Sequence, residues 1–141
     1  MKKKNIKSVK QGIARKWELL DGSEKNFGRI ATVAATYLIG KDSENFDPAK
    51  DEGSFVVITN VGKMKASSNK FRDKKYYRHS WYPGNLKVES LQEKYNKDPL
   101  KVMYDAVRGM LPKNKLQRGR LARLKLFLDE SHPYQEKFKN K

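Results

Sequence analysis

The sequence predicts a three-layer α/β/α domain around a small, mostly parallel sheet, with basic extensions at both ends. Three observations point there. Apolar residues alternate with a period of two in some stretches and recur at helical spacing in others. One β-branched run, Ser54 to Thr59, is too apolar to face water on either side, as expected for a parallel strand covered on both faces. Hydrophobic residues make up 37% of the 141 residues and charged residues 34%, which allows one real core under an unusually charged surface.

Each element has its own reason. Trp17-Glu18-Leu19-Leu20 reads as a short strand stopped by the turn residues Asp21-Gly22-Ser23. Phe27 to Ile39 carries Ile30, Val33, Ala34, Tyr37 and Leu38 at helical spacing, with Asn26 as N-cap and Gly40 as the C-terminal stop. Together with Ser54 to Thr59 this makes a βαβ unit, whose crossover is expected to be right-handed. Lys74 to Ser80 can form a strand. Ser90-Leu91-Gln92-Glu93 fits a capping box. Asp98-Pro99 suits the N-cap and first position of a helix bearing Leu100, Met103, Tyr104, Val107 and Leu111 as one core stripe, ended by Pro112. Leu124 to Leu128 alternates like a strand.

Charge is the strongest single signal. Thirty-two Lys and Arg against sixteen Asp and Glu give a net charge of +16. Such self-repulsion on a small domain calls for a polyanionic partner, nucleic acid before an anionic membrane. Residues 1–16 hold seven cations and no acid and read as a flexible basic arm. The expected organisation is this arm, a single domain over 17–130, and a basic tail over 131–141. Asp42 to Glu52 is acidic; from Lys63 to Lys87 only Asp73 opposes eight basic residues; from Ala106 to Leu128 there is no acid.

Several functions find little support. There is no cysteine, hence no disulfide or thiolate metal site. The start has no apolar stretch for a secretory signal, and no apolar run approaches the ~20 residues of a membrane span. A soluble protein inside the cell is expected. Gly22 to Arg29 sits between strand and helix, but five residues separate its glycines and Arg29-Ile30 follow, so it departs from a phosphate-binding loop. The helix it opens could still hold one RNA phosphate at its N-terminus. His79 and His132 lie far apart, without the ligands of a zinc pattern. Asp47, Asp51 and Glu52 offer the best enzyme alternative, a Mg²⁺-dependent nuclease, but a solvated loop is the ordinary reading. The expectation is no catalytic residue, metal, cofactor or small-molecule substrate.

The basic segments carry more. Between Lys70 and Tyr82, cations alternate with aromatic rings, the pair of residue types that RNA takes up with its phosphates and unstacked bases. One of Tyr76 and Tyr77 is expected in the core, while Trp81 and Tyr82, beside Pro83-Gly84, suit an exposed loop tip. Arg108 to Lys125 holds seven cations among the apolar anchors Met110, Leu111, Leu116 and Leu121. A solvated helix face would mix in acids, and arginines suit bidentate phosphate contacts. The candidate RNA-binding residues are Lys63, Lys65, Lys70, Arg72, Lys74, Lys75, Arg78, His79, Trp81, Tyr82, Arg108, Lys113, Lys115, Arg118, Arg120, Arg123 and Lys125.

Val107-Arg108-Gly109-Met110-Leu111-Pro112-Lys113, followed by Leu116, Arg118 and Leu124-Lys125-Leu126, resembles the family of large-subunit ribosomal protein thirteen, in its bacterial-type form. Trp17 with Asp21, Phe27 to Thr32, Val57 to Asn60 with Lys63, and Asn69-Lys70, Asp73-Lys74 and Tyr76 to His79 extend the resemblance over about Trp17 to Leu128. Ser67-Ser68 and Trp81-Tyr82-Pro83 depart from its pattern, which has threonine-glycine and a histidine- and glycine-rich stretch there. The resemblance implies a three-layer α/β fold on large-subunit ribosomal RNA beside neighbouring ribosomal proteins, with a part in early subunit assembly. It maps RNA-facing roles onto Lys70, Lys74, Arg78, His79, Lys113, Arg118 and Lys125. It places the protein in the cytoplasm, with an organellar ribosome of bacterial type as the alternative. The rival binding function is a non-ribosomal binder of DNA or messenger RNA.

Overall fold

The computed structural model describes residues 15–44, 46–65 and 68–138. Of the basic arm expected over 1–16, only Arg15 and Lys16 fall among them. The fold class is the expected α/β one. Strand β1 (Trp17–Asp21), helix α1 (Phe27–Ile39) and strand β2 (Phe55–Thr59) come first. A 3-10 turn (Val61–Lys63) follows, then helix α2 (Ser68–Asp73) and strands β3 (Lys75–His79) and β4 (Leu86–Ser90). Helices α3 (Leu91–Lys97), α4 (Pro99–Met110) and α5 (Gln117–Ala122), strand β5 (Leu124–Leu126) and a second 3-10 turn (Gln135–Lys137) complete it.

The main sheet has the order β1-β2-β5, and both pairings are parallel. The most apolar strand is therefore central. Val56, Val57 and Ile58 are each fully buried, because both faces of β2 are covered. On one face Val56, Ile58 and Leu124 join Ile30, Ala31, Ala34 and Leu38 of α1 and Met103 and Val107 of α4 in a single core. Alternation along the strands sends Trp17 and Phe55 to the other face, where their rings stack at 4.4 Å. Tyr134 and Phe138 close over Trp17 at 5.2 and 6.3 Å, and His132 packs on Phe127 at 5.7 Å. The tail set apart from residue 131 is thus part of the folded body as far as Phe138, and it serves as the cover of this second face.

Two turns fix how α1 meets β2. Gly40 ends α1 with a φ of 88°, and its N–H donates to Thr36 and Tyr37 carbonyls, the left-handed cap that glycine adopts without cost. Gly53 then passes so close to the end of α1 that a Cβ there would lie 1.9 Å from the Leu38 carbonyl oxygen. Ser54 N–H donates to the Tyr37 carbonyl at 3.0 Å directly afterwards. Asn26 stands at the N-cap position of α1, but its side chain makes no capping bond.

The second half confirms its start signals. Ser90 and Glu93 form a complete capping box, with Glu93 N–H donating to Ser90 Oγ at 3.2 Å and Ser90 N–H to Glu93 Oε2 at 3.0 Å. Asp98 Oδ1 accepts from Lys101 N–H at 3.0 Å, with Pro99 opening α4. Strands β3 and β4 pair antiparallel as a separate hairpin, with Tyr77 opposite Val88 and His79 opposite Leu86. β4, α2 and α5 are elements that the sequence reading did not separate from loops.

Candidate nucleic-acid interface

Two basic regions project from this frame. In the first, Lys63 closes the 3-10 turn after β2, Lys65 is exposed beside it, and α2 presents exposed Lys70 and Arg72. Phe71 anchors that short helix, meeting Tyr95 of α3 edge-on at 5.5 Å. Tyr95 in turn donates its hydroxyl to the Val61 carbonyl at 2.8 Å, and burial raises its pKa above the ordinary tyrosine value. So one ring of the cation–aromatic stretch is structural. Tyr76 is half-buried with Lys94 and Lys74 over its ring at 4.3 and 5.3 Å, whereas Tyr77 is exposed.

The hairpin carries the rest of this region outward. Lys75, Arg78 and His79 are exposed on β3. Trp81 and Tyr82 form its tip and are 93% and 74% exposed. Arg78 and Lys87, opposite one another in the hairpin, line a cleft of about 760 Å³ with Lys94, Lys97 and Lys101 of the following helices. Lys97 pairs there with Glu89. The Lys97 hydrogen bond holds the Glu89 carboxyl below its ordinary pKa, and the same bond raises that of Lys97.

The second region is the acid-free stretch that begins in the last turns of α4. Arg108, Lys115 and Arg118 line an open groove of about 640 Å³ with Tyr104, Asn114 and Gln117. Gln117 Nε2 donates to the Arg108 carbonyl at 3.0 Å and Asn114 Oδ1 accepts from Leu116 N–H at 3.1 Å, so the loop bearing Lys113 and Lys115 is braced from within. The two regions converge at the start of α1. Lys70 from the first and Met110 from the second line one cleft of about 810 Å³ with Lys25, Phe27, Gly28 and Arg29. The first turn of α1 contains no acid, so the positive end of the helix dipole adds to these cations.

Comparison with known proteins decides what this frame is. The family model for ribosomal protein L13 matches residues 15–133. The chain belongs to the ribosomal protein L13 family. It is 45% identical over 127 residues to the large ribosomal subunit protein uL13 of Helicobacter hepaticus, covering 90% of this chain and 89% of that one. It is 43% identical over 132 residues to that of Nautilia profundicola, covering 93% and 94%. A third uL13, from Nitratidesulfovibrio vulgaris, is 41% identical over 131 residues, covering 93% and 91%.

Two residues expected at the RNA surface of this L13-family chain are not on the surface. Arg120 and Arg123 are only 1% and 7% exposed. Arg123 reaches Asp51 with both Nη atoms, each 2.6 Å from a carboxylate oxygen, and its Nη2 also donates to the Leu38 carbonyl at 3.2 Å. Arg120 Nε lies 3.6 Å and Arg15 Nη2 3.8 Å from the same carboxylate. The physical reason is compensation: a buried guanidinium needs a paired anion, and Asp51 is that anion for three arginines. Burial opposes ionisation of Asp51 and is the largest single influence on it. The hydrogen bonds and charge of Arg123, helped by Arg15 and Arg120, outweigh burial and hold its pKa below the ordinary carboxylate value. Asp51 is therefore no member of a free acidic loop, and both its oxygens are already engaged where a nuclease would need them for Mg²⁺. Lys125, on β5, is half-buried.

The two histidines of the L13-family chain have local partners. His79 Nδ1 accepts the Trp81 N–H at 2.8 Å, and His132 Nδ1 accepts the Tyr134 N–H at 3.2 Å. Among the described residues no group of three or more His, Asp or Glu is placed to hold a metal ion, and no helix is long and apolar enough to cross a membrane. The sequence reading missed Lys25, Arg29 and Lys87 as interface candidates. Lys25 and Arg29 stand on either side of the start of α1, whose N-terminus alone was expected to hold a phosphate; the approach of Lys70 and Met110 brings these two side chains into the same cleft. Lys87 belongs to β4, the strand read as loop.

Proposed function

We propose that this chain is a structural constituent of the large ribosomal subunit, working in the cytoplasm as part of the ribosome. It binds large-subunit ribosomal RNA, supports subunit assembly beside neighbouring ribosomal proteins, and catalyses nothing. The observation that carries this reading is the convergence of the two acid-poor segments on the start of α1, in a member of the L13 family. The ion pairs among the described residues use Arg15, Lys50, Lys94, Lys97, Arg120 and Arg123. Lys63, Lys65, Lys70, Arg72, Lys74, Lys75, Arg78, Arg108, Lys113, Lys115 and Arg118 enter none of them. So many outward cations of one sign repel one another in the free chain, and a polyphosphate backbone relieves that repulsion.

The α/β core acts as a rigid mount. Backbone phosphates lie against α2, the hairpin and the groove between α4 and α5, with Lys25, Arg29 and Lys87 added and Arg120 and Arg123 withdrawn from the contact set. Residues 1–16 add six further cations besides Arg15, which is held at Asp51. Neutralising roughly 6–10 phosphates makes affinity fall about 10³- to 10⁵-fold between 50 and 200 mM salt. Measured binding to purified large-subunit ribosomal RNA should show that steep log–log slope. A slope near zero would contradict the phosphate clamp.

A further inference from the structure

We infer that Trp81 is a base-stacking residue, its indole presented to take an unpaired RNA base at the tip of the β3–β4 hairpin. The inference deepens the RNA-binding reading and rests on it. Two unfavourable features meet at this one residue. Trp81 has a φ of 66°, the left-handed region that glycine enters freely and a bulky aromatic enters only at a cost. It also leaves 93% of its surface in water, although indole is among the side chains that gain most from burial. Strain held in place by its surroundings is characteristic of sites prepared for a ligand.

The surroundings do hold it. His79 Nδ1 accepts the Trp81 N–H at 2.8 Å, Asn85 Nδ2 donates to Ser80 Oγ at 2.6 Å, and Asn85 N–H donates to the Tyr82 carbonyl at 3.2 Å. The paired strands Lys75–His79 and Leu86–Ser90 carry this loop as a unit. His79 and the indole form a T-shaped pair, with planes at 77° and centroids 6.2 Å apart, and the 93% exposure of Trp81 leaves its ring open to a base. Tyr82, also largely exposed, stands next to it.

Charge selects RNA as the occupant. From Lys74 to Val88 the chain has Lys74, Lys75, Arg78 and Lys87 and no acid. Of the two acids that flank this stretch, Glu89 is held by Lys97 and Asp73 ends α2. A cationic rim with a flat exposed ring at its centre matches a single strand, whose phosphates meet the cations while a base meets the ring.

Stacking and phosphate contacts leave different marks, because only the second depends steeply on salt. The intact chain is titrated with an oligoadenylate of about twelve nucleotides, a length suited to single-strand sites, and with inorganic polyphosphate, which has the charge but no base. Tryptophan emission is compared with that of Trp81→Phe, in which Trp17 alone reports. Oligoadenylate is expected to quench the intact chain, polyphosphate is not, and the quenching disappears in Trp81→Phe. Trp81→Gly keeps the hairpin, since glycine accepts the φ, yet binds oligoadenylate roughly 5- to 150-fold more weakly at an unchanged salt slope. Trp81→Phe retains most of that affinity. Oligoadenylate that binds, by anisotropy, without quenching Trp81 overturns the stacking role, leaves RNA binding intact and gives the tip to a protein neighbour. If neither polyanion binds, the RNA-binding reading falls and the stacking role falls with it.

Discussion

Asp51 and Arg123 lie fork to fork across the domain, each carboxylate oxygen 2.6 Å from a guanidinium nitrogen. The pair ties the segment before β2 to the end of α5, with Arg120 and Arg15 closing on the same carboxylate. Removing the anion strands two buried cations. Asp51→Ala should cost about 3 kcal/mol of stability, the lower end of the range for breaking a buried pair because Asp51 is partly exposed. Denaturant unfolding checks this. A loss under about 1 kcal/mol would show the cluster to be well solvated, as exposed pairs are.

The same cluster sets an acid limit. The folded-state pKa of Asp51 is lowered, as is that of Asp21, chiefly by the Ser23 N–H and then by Asn60 against the opposing effect of burial. A depressed carboxylate pKa contributes stability that is complete above the unfolded value of about 3.9 and is lost as pH falls through the folded one. Stability should therefore stay level through neutral pH as far as these groups are concerned and drop below about pH 4. In Asp51→Ala that acid-side drop should be shallower, as unfolding curves between pH 6 and 3 would show.

Surface and buried cations should separate cleanly. Lys113→Ala, Lys115→Ala and Arg118→Ala together should weaken RNA binding and lower the salt slope by about 0.7–0.9 per lost phosphate contact, with little change in unfolding midpoint. Arg123→Ala should do the reverse, lowering the midpoint through loss of the Asp51 and Leu38 contacts. Affinity unchanged in the triple variant would remove the α4–α5 groove from the RNA-binding surface.

Much of this was legible beforehand, and the failures have physical causes. The central strand, α1, the capping box at Ser90 and the Asp98-Pro99 start all rest on signals within a few residues, which sequence displays directly. Arg120 and Arg123 were read as outward cations because their stretch contains no acid; the compensating Asp51 stands 72 positions from Arg123. The β4 strand was hidden because its residues run from exposed to half-buried without alternating. α5 has only six residues with Gly119 among them, too short for a period. The residues after 130 looked like a basic tail because His132, Tyr134 and Phe138 share no single period; they are placed by Trp17 and Phe127.

That cover gives a further prediction. Deleting residues 131–141 uncovers Trp17 and Phe127 on the second face of the sheet. The truncated chain should lose cooperative thermal unfolding at the full-length midpoint and bind a hydrophobic dye. An unchanged midpoint would mean that the aromatic cluster adds nothing to stability.

The backbone contact at Gly53 allows a sharper test of the fold. A Cβ at 1.9 Å from the Leu38 carbonyl oxygen cannot be absorbed by a side-chain rotation. Gly53→Ala must displace the end of α1 or the entry to β2, and soluble expression of the full chain should fall severely, an outcome read by fractionation and circular dichroism. A well-folded Gly53→Ala would contradict the observed approach.

The central claim is tested most directly by sedimenting a lysate through a sucrose gradient in high salt and following this chain by mass spectrometry. High salt releases loosely adsorbed basic proteins while integral subunit components stay bound. The chain should travel with the large ribosomal subunit at close to one copy per particle. Recovery mainly in the free fractions at the top of the gradient would contradict its place as a structural constituent of that subunit.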